Sequence, residues 1–233
     1  MKYIKKFEAN IHEYELHKLI NAINNNNDII EVKQIIDNYP NIIDDKDIHG
    51  NTPLNSACYI GNIEIVKFLI ENGANINNTN SHMNFSPLSK LCYCRDFSKK
   101  HLEIVKYLLS LPNINIEIKN SNDITPLLLA LISSKRKYHL TRKDFNKNLV
   151  LEMILLLLKK GADIYAKKND FDGFDILKKN DDYHKGNFIF KSCEFQDIIF
   201  KKYGEKPFIN KDIPTKYLCQ KFSVYKNAEK YNL

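Results

Sequence analysis

Four stretches of the chain share one arrangement of apolar and polar positions. DIIEVKQIID at 28–37, NIEIVKFLIENG at 62–73, HLEIVKYLL at 101–109 and LEMILLLLKKG at 151–161 each carry an apolar stripe at i, i+3 and i+4, with a charge near the start. That spacing gathers the apolar side chains on one face of an α-helix, so four amphipathic helices are predicted. A second series precedes three of them. Thr52-Pro53-Leu54, Ser86-Pro87-Leu88 and Thr125-Pro126-Leu127 each open a short apolar segment. A Thr or Ser hydroxyl accepts a bond from an orphan backbone N–H of the first turn. Proline then fits the first helical position, where its missing N–H costs nothing. Gly73 and Gly161 follow apolar helices, as a left-handed C-terminal cap would, and Gly50 and Gly173 suit tight turns before new helix starts.

The spacings make this one duplicated unit. Pro53 to Pro87 is 34 residues, Pro87 to Pro126 is 39, and Val32 to Val66 is again 34. A unit of one turn and two helices with a period near 33 cannot hide its apolar stripe alone, so stacking must bury a continuous core. Residues 47–77, DIHGNTPLNSACYIGNIEIVKFLIENGANIN, resemble an ankyrin repeat nearly throughout: Gly50, the TPL triplet, Ala57, Gly61, Ile65-Val66, Leu69-Ile70, Gly73-Ala74 and Ile76 all stand where that family has them. The resemblance covers about residues 13–203 and weakens outward. It implies an all-α ankyrin-repeat solenoid of four to five helix–turn–helix units with short β-hairpin or turn fingers. The family usually has His after TPL, bonding across repeats; Asn55, Ser89 and Leu128 stand there here, so that bonding is expected to be weakened or rerouted.

The predicted plan is a lead-in at 1–12 and repeats at about 13–43, 47–80, 81–120 and 121–169. A degenerate fifth follows at 170–203, with Asp175 in place of the Thr cap and a closing amphipathic helix near 188–203, and then a basic, aromatic tail at 204–233. Asn24–Asn27 read as the polar turn between the first two helices. Repeats three and four carry insertions between their helices. The one at 133–147 holds Lys135, Arg136, Lys137, Arg142, Lys143 and Lys147 against Asp144, a charge of +5. Segment 178–233, with 12 Lys and 7 acids, carries another +5. The chain totals +7, so the remaining segments sum to −3 and the basicity belongs to one loop and the C-terminal end.

Enzyme chemistry finds no constellation. His12 and His17 in HEYELH are five apart, whereas a zincin pair needs i and i+4 on one helical face. Cys92, Cys94 and His101 invite a zinc reading, but Cys92 falls on the core position of Cys58 and His101 on Asn62 at a helix start. The seven glycines are isolated and form no phosphate loop. The expectation is no enzyme, no cofactor and no metal.

The resemblance implies a protein–protein interaction module, an adaptor or scaffold, that binds through finger tips and the inner face of the first helices. The tip residues are Ile48, His49 and Asn51, then His82, Met83 and Phe85; the inner-helix candidates are Tyr59, Ile60 and Tyr93, with Phe85 and Tyr93 reading equally well as packing between neighbouring repeats. The alternative is nucleic-acid association, with Lys135, Arg136, Lys137, Arg142 and Lys143 neutralising phosphates beside Tyr138, His139 and Phe145. Asp212-Ile213-Pro214 followed by Tyr217-Leu218 and Phe222 resembles the F-box-like end of some viral ankyrin proteins, which recruits ubiquitin-ligase machinery.

The N-terminus lacks a signal-peptide core, and the most apolar stretch, 149–158, is interrupted by Glu152, far short of the roughly 20 residues a membrane span needs. Five cysteines without a disulfide framework suit free thiols in a reducing compartment. A monomer in cytosol or nucleus is expected, with an unidentified protein as partner and no membrane. The Asn-, Ile- and Lys-rich wording resembles ankyrin proteins of AT-rich genomes, including large DNA viruses.

Overall fold

The structure, a computed structural model, describes residues 2–26, 28–134, 147–166, 173 and 192–203. The regular elements run α1 (Lys2–Asn21), a π-helical turn (Ala22–Asn26), α2 (Ile29–Asn38), a 3-10 turn (Pro40–Ile42), α3 (Pro53–Ile60), α4 (Ile63–Glu71), α5 (Pro87–Cys92), α6 (Lys99–Ser110), α7 (Pro126–Ser134), α8 (Lys147–Lys160) and α9 (Cys193–Tyr203). No strand occurs among the described residues, so the fingers are turns.

Local chemistry sets the helix starts as expected. The Thr52 hydroxyl accepts the Asn55 N–H at 3.2 Å, Ser86 that of Ser89 at 3.2 Å and Thr125 that of Leu128 at 3.4 Å, each ahead of a proline at the first helical position. Among the second helices, α2 has a carboxylate cap in Asp28 and α4 an amide cap in Asn62. Helices α3, α5 and α7 pack side by side in one layer, joined by α1 against α3; α2, α4, α6 and α8 form the second. Between them lies one core, from Leu19, Ile23 and Ile36 through Leu54, Leu69, Leu88 and Ile104 to Ile154. Helix α9 closes the stack on α8. It buries Phe195 and Ile199, and its Lys202 ammonium donates to the carbonyls of Gly161 (2.8 Å) and Ala162 (3.0 Å) at the end of α8.

Three readings are corrected. Helix α1 runs unbroken from Lys2 through the boundary expected at residue 13. The Asn run after it, expected as a polar turn, is a π-helical turn through Asn26. Helix α6 starts a turn earlier than the alignment with α4 implies: Ser98 is its cap and His101 its third residue, so part of the insertion is spent as helix. Gly173, expected in a tight turn, is helical and buried. Gly73 and Gly161 do have positive φ, 96° and 109°.

The fingers, at 45–51, 78–85 and 117–124, repeat one device. The side-chain oxygen of Asp47 accepts from the His49 and Asn51 N–H groups; Asn80 does the same for Met83 and Phe85, and Asn120 for Asn122 and Ile124. Each finger then needs one left-handed residue three places before the proline: Gly50 (φ 73°), Asn84 (56°) and Asp123 (58°). Asn and Asp are the side chains that tolerate this region best. Glycine is required in the first finger, because a Cβ on Gly50 would stand 2.6 Å from the Ser81 Cβ of the next. That approach lets the Ser81 N–H donate to the Gly50 carbonyl at 2.8 Å, and the step repeats where the Ser121 N–H donates to Met83 at 3.0 Å.

A second ladder runs behind the fingers. Asp44 accepts from the Asn75 N–H, Asn77 from Asn115 and Glu117 from Asp163, at 3.0, 2.9 and 2.9 Å. Asn75 and Asn115 in turn close the turns that hold Asn77 and Glu117 in place. On the outer layer Lys33 lies over Phe68 and Lys67 over Tyr107, at 5.7 and 5.6 Å, while Lys106 pairs with Glu152 at 2.7 Å. Asn55 reroutes the bonding expected of the family's His. Its amide donates to Thr52 (3.0 Å) and to the Asn78 carbonyl (3.4 Å) at the base of the following finger.

Candidate protein-binding face

The first-helix layer and the fingers form the face on which the expected contact residues lie. Tyr59, next to last in α3, is 51% exposed. It is held from two sides: the Lys90 ammonium sits 5.1 Å from its ring centroid, and its carbonyl receives the His101 Nε2–H at 3.0 Å. His101 joins two repeats. Its Nδ1 accepts the Ser98 N–H at 3.2 Å, its ring stacks on Phe97 at 5.8 Å, and its edge stands 3.2 Å from where a Cβ on Gly61 would be. Gly61, at φ 83°, therefore ends α3 and makes room for the imidazole at once. Burial pushes the His101 pKa below its ordinary value, against the upward pull of the Tyr59 carbonyl. Lys90 is likewise lowered, chiefly by burial, with Cys94 and Asp47 pulling it back up.

Ile60 and Tyr93 are half-buried on the same layer, and His82 and His49 are exposed at finger tips. Met83 is half-buried, and Asn51 is tied to the next finger by the Asn80 amide at 3.4 Å. Phe85 is a correction. Only 5% exposed, it packs on Tyr93 with centroids 5.2 Å apart, because the finger folds back to deliver it into the core before α5. It supports Tyr93 and offers a partner nothing.

Ile48, 82% exposed, stands on the rim of a groove of about 840 Å3 between the C-terminal half of α1 and the first finger. Tyr14, 65% exposed, lines the same groove with Glu13, His17, Asp47 and His49. His12 bridges to the Asp45 carboxylate and fixes α1 against the finger. Sequence reasoning missed Tyr14 and Glu13. The signal was present: the stripe Leu16, Leu19, Ile20 and Ile23 defines the buried side of α1, and Tyr14 is a large aromatic off that stripe.

Lys135, Arg136, Lys137, Arg142 and Lys143 lie outside the described residues, as does the tail at 204–233. Among the described residues no group of three His, Cys, Asp or Glu is placed to hold a metal ion. Cys94 Sγ lies 3.8 Å from His101 Nε2, but that nitrogen is bonded to Tyr59. Cys58, Cys92 and Cys94 are buried free thiols, and burial pushes the pKa values of Cys58 and Cys92 far up. No described helix is long and apolar enough to cross a membrane.

Comparison with known proteins agrees with this architecture. The family model described as ankyrin repeats (3 copies) matches residues 2–80. The human "Transient receptor potential cation channel subfamily A member 1" is 29% identical over 165 residues, 71% of this chain and 12% of that protein. A Dictyostelium discoideum "Acyl-CoA-binding domain-containing protein 6 homolog" is 52% identical over 50 residues, 22% of this chain and 17% of that protein. "Alpha-latrocrustotoxin-Lt1a" of Latrodectus tredecimguttatus is 27% identical over 139 residues, 60% of this chain and 8% of that protein. The chain thus spans less than a fifth of each of these relatives. They lend no support to an origin in a large DNA virus or another AT-rich genome. With ankyrin repeats matched at residues 2–80, the two helical layers and the finger ladder, the described residues have the fold of an all-α ankyrin-repeat solenoid.

Proposed function

We propose that this chain is a non-enzymatic adaptor or scaffold that docks a protein partner on its first-helix and finger face. Ankyrin repeats generally mediate protein–protein interaction. The observation that carries the reading is Tyr59. A half-exposed aromatic, fixed by Lys90 over its ring and by His101 on its carbonyl, is an anchor whose ordering cost is met before a partner arrives. Ile48, His49, His82 and Tyr93 extend the same face. The buried free thiols support an intracellular, reducing setting.

The test is partner capture on the tagged full chain, with nuclease present, followed by the same capture on Tyr59→Ala and Tyr59→Ala/Ile48→Ser. Both residues are exposed, so the fold is retained and circular dichroism checks it. A partner identified by mass spectrometry that binds the parent and is lost with the double variant supports the reading. Capture unchanged by both variants, or abolished by nuclease alone, removes it.

A further inference from the structure

The groove between α1 and the first finger differs in chemistry from the rest of the face. Lone exposed hydrophobics are ordinary on a soluble protein. Here two large ones, Tyr14 and Ile48, flank a single concavity of about 840 Å3. A volume of that order accommodates several side chains of an incoming segment. Its charge is also distinctive. Three carboxylates (Glu13, Asp45 and Asp47) against one lysine (Lys46) leave the lining at −2 with the imidazoles neutral, in a chain whose total is +7.

The three carboxylates are not equivalent. Asp45 is bridged to His12, and Asp47 gives one oxygen to the His49 and Asn51 N–H groups. The Glu13 side chain is exposed, and its carboxylate has no hydrogen bond or ion pair among the described residues. A cation entering the groove meets the Glu13 carboxylate beside two apolar side chains, whereas an anion meets a lining of net negative charge. The bridge between His12 and Asp45 holds the two walls in register, so the groove exists before any partner arrives.

We infer that this groove receives an extended segment of another protein, seating an apolar side chain beside Tyr14 and Ile48 and directing a neighbouring lysine or arginine to Glu13. The inference rests on the reading of this face as protein-binding and names the partner chemistry of its N-terminal end. Rim charges of this kind act through encounter rate and register, the apolar anchor through residence time.

The experiment uses the full chain and fluorescein-labelled twelve-residue peptides in which leucine and phenylalanine alternate with lysine, or with glutamate in the control, read by anisotropy. The basic peptide is expected to bind and the acidic one to fail. Tyr14→Ser and Ile48→Ser are each expected to weaken binding about tenfold, the scale of a single anchor residue. Glu13→Lys is expected to weaken it several-fold in dilute salt, with the difference closing as salt screens the pair. Equal binding of both peptides, or basic-peptide binding indifferent to all three variants, overturns the inference. So does binding that emerges only after residues 204–233 are removed, which would make the chain's own basic tail the occupant, or Ile48-dependent self-association by sedimentation, which would make it a second copy. If the groove fails while Tyr59-dependent capture persists, this inference alone falls and the wider function stands.

Discussion

His101→Ala tests how the second and third repeats are held together. The imidazole is 6% exposed and serves both units: Nε2–H donates to the Tyr59 carbonyl at 3.0 Å, and Nδ1 accepts the Ser98 N–H at 3.2 Å. Removing it deletes the Tyr59 bond at Nε2 and the shared Ser98 N–H and hydroxyl contacts at Nδ1, about 1 kcal/mol for each ring nitrogen. It also leaves part of the ring's volume empty beside Phe97 and Gly61, at about 1–2 kcal/mol for a site that relaxes partly. The total is about 3–4 kcal/mol, a large share of the roughly 5–15 kcal/mol that holds a domain together. Urea unfolding followed by circular dichroism at pH 7.5 measures it. His101→Gln, which can keep one of the two bonds, should cost about half.

The pH dependence gives a second readout. A ring that donates from Nε2 and accepts at Nδ1 is neutral, and burial holds its folded pKa below the ordinary 6.5. Between those two values the unfolded chain binds the proton and the folded chain does not. The stability His101 contributes is therefore full above pH 6.5 and is lost as pH falls through the folded pKa. His101→Gln should flatten the curve in that window. A loss below about 1 kcal/mol for the alanine variant, or a wild-type slope identical to that of His101→Gln, refutes the reasoning.

The other predictions rest on separate features. Gly50→Ala places a Cβ 2.6 Å from the Ser81 Cβ at a positive φ, so a loss of about 2 kcal/mol or more in thermal or urea unfolding is expected. Glu117 has its pKa raised, first by burial and then by Asp163, against the pull of the Asp163 N–H. The folded state therefore holds that proton more tightly than the unfolded, and the charged form costs stability above the folded pKa. Glu117→Gln keeps an acceptor for Asp163, so at pH 7 it should be neutral or slightly stabilising, with any advantage disappearing in acid; clear destabilisation at pH 7 contradicts this. Cys58 and Cys92, buried and with raised pKa values, should resist alkylation at pH 8 until the chain unfolds, as peptide mapping by mass spectrometry would show.

The sequence alone determined what depends on near neighbours. A Thr or Ser cap and its proline act within one turn, so Thr52, Ser86 and Thr125 are enough to place the starts of α3, α5 and α7. The stripes of α2, α4, α6 and α8 followed from periodicity in the same way, a stacked solenoid followed from their repetition, and the ankyrin reading came from the resemblance of residues 47–77. Tertiary structure decided what depends on residues 31 to 46 apart meeting across a stacked interface. The bonds from Asn75 to Asp44, from Asp163 to Glu117 and from His101 to Tyr59 join separate repeats, and no local pattern fixes their register. Phe85 stayed open between exposed anchor and packed side chain for that reason: its place at a finger tip allows both, and the turn closed by Asn80 aims it at Tyr93. The groove was invisible for the same cause, since it forms only where the C-terminal half of α1 stands beside the first finger and His12 meets Asp45. Capping and amphipathicity are set by side chains within a turn of each other, whereas a binding face is set by which turns the stacking of distant helices brings side by side.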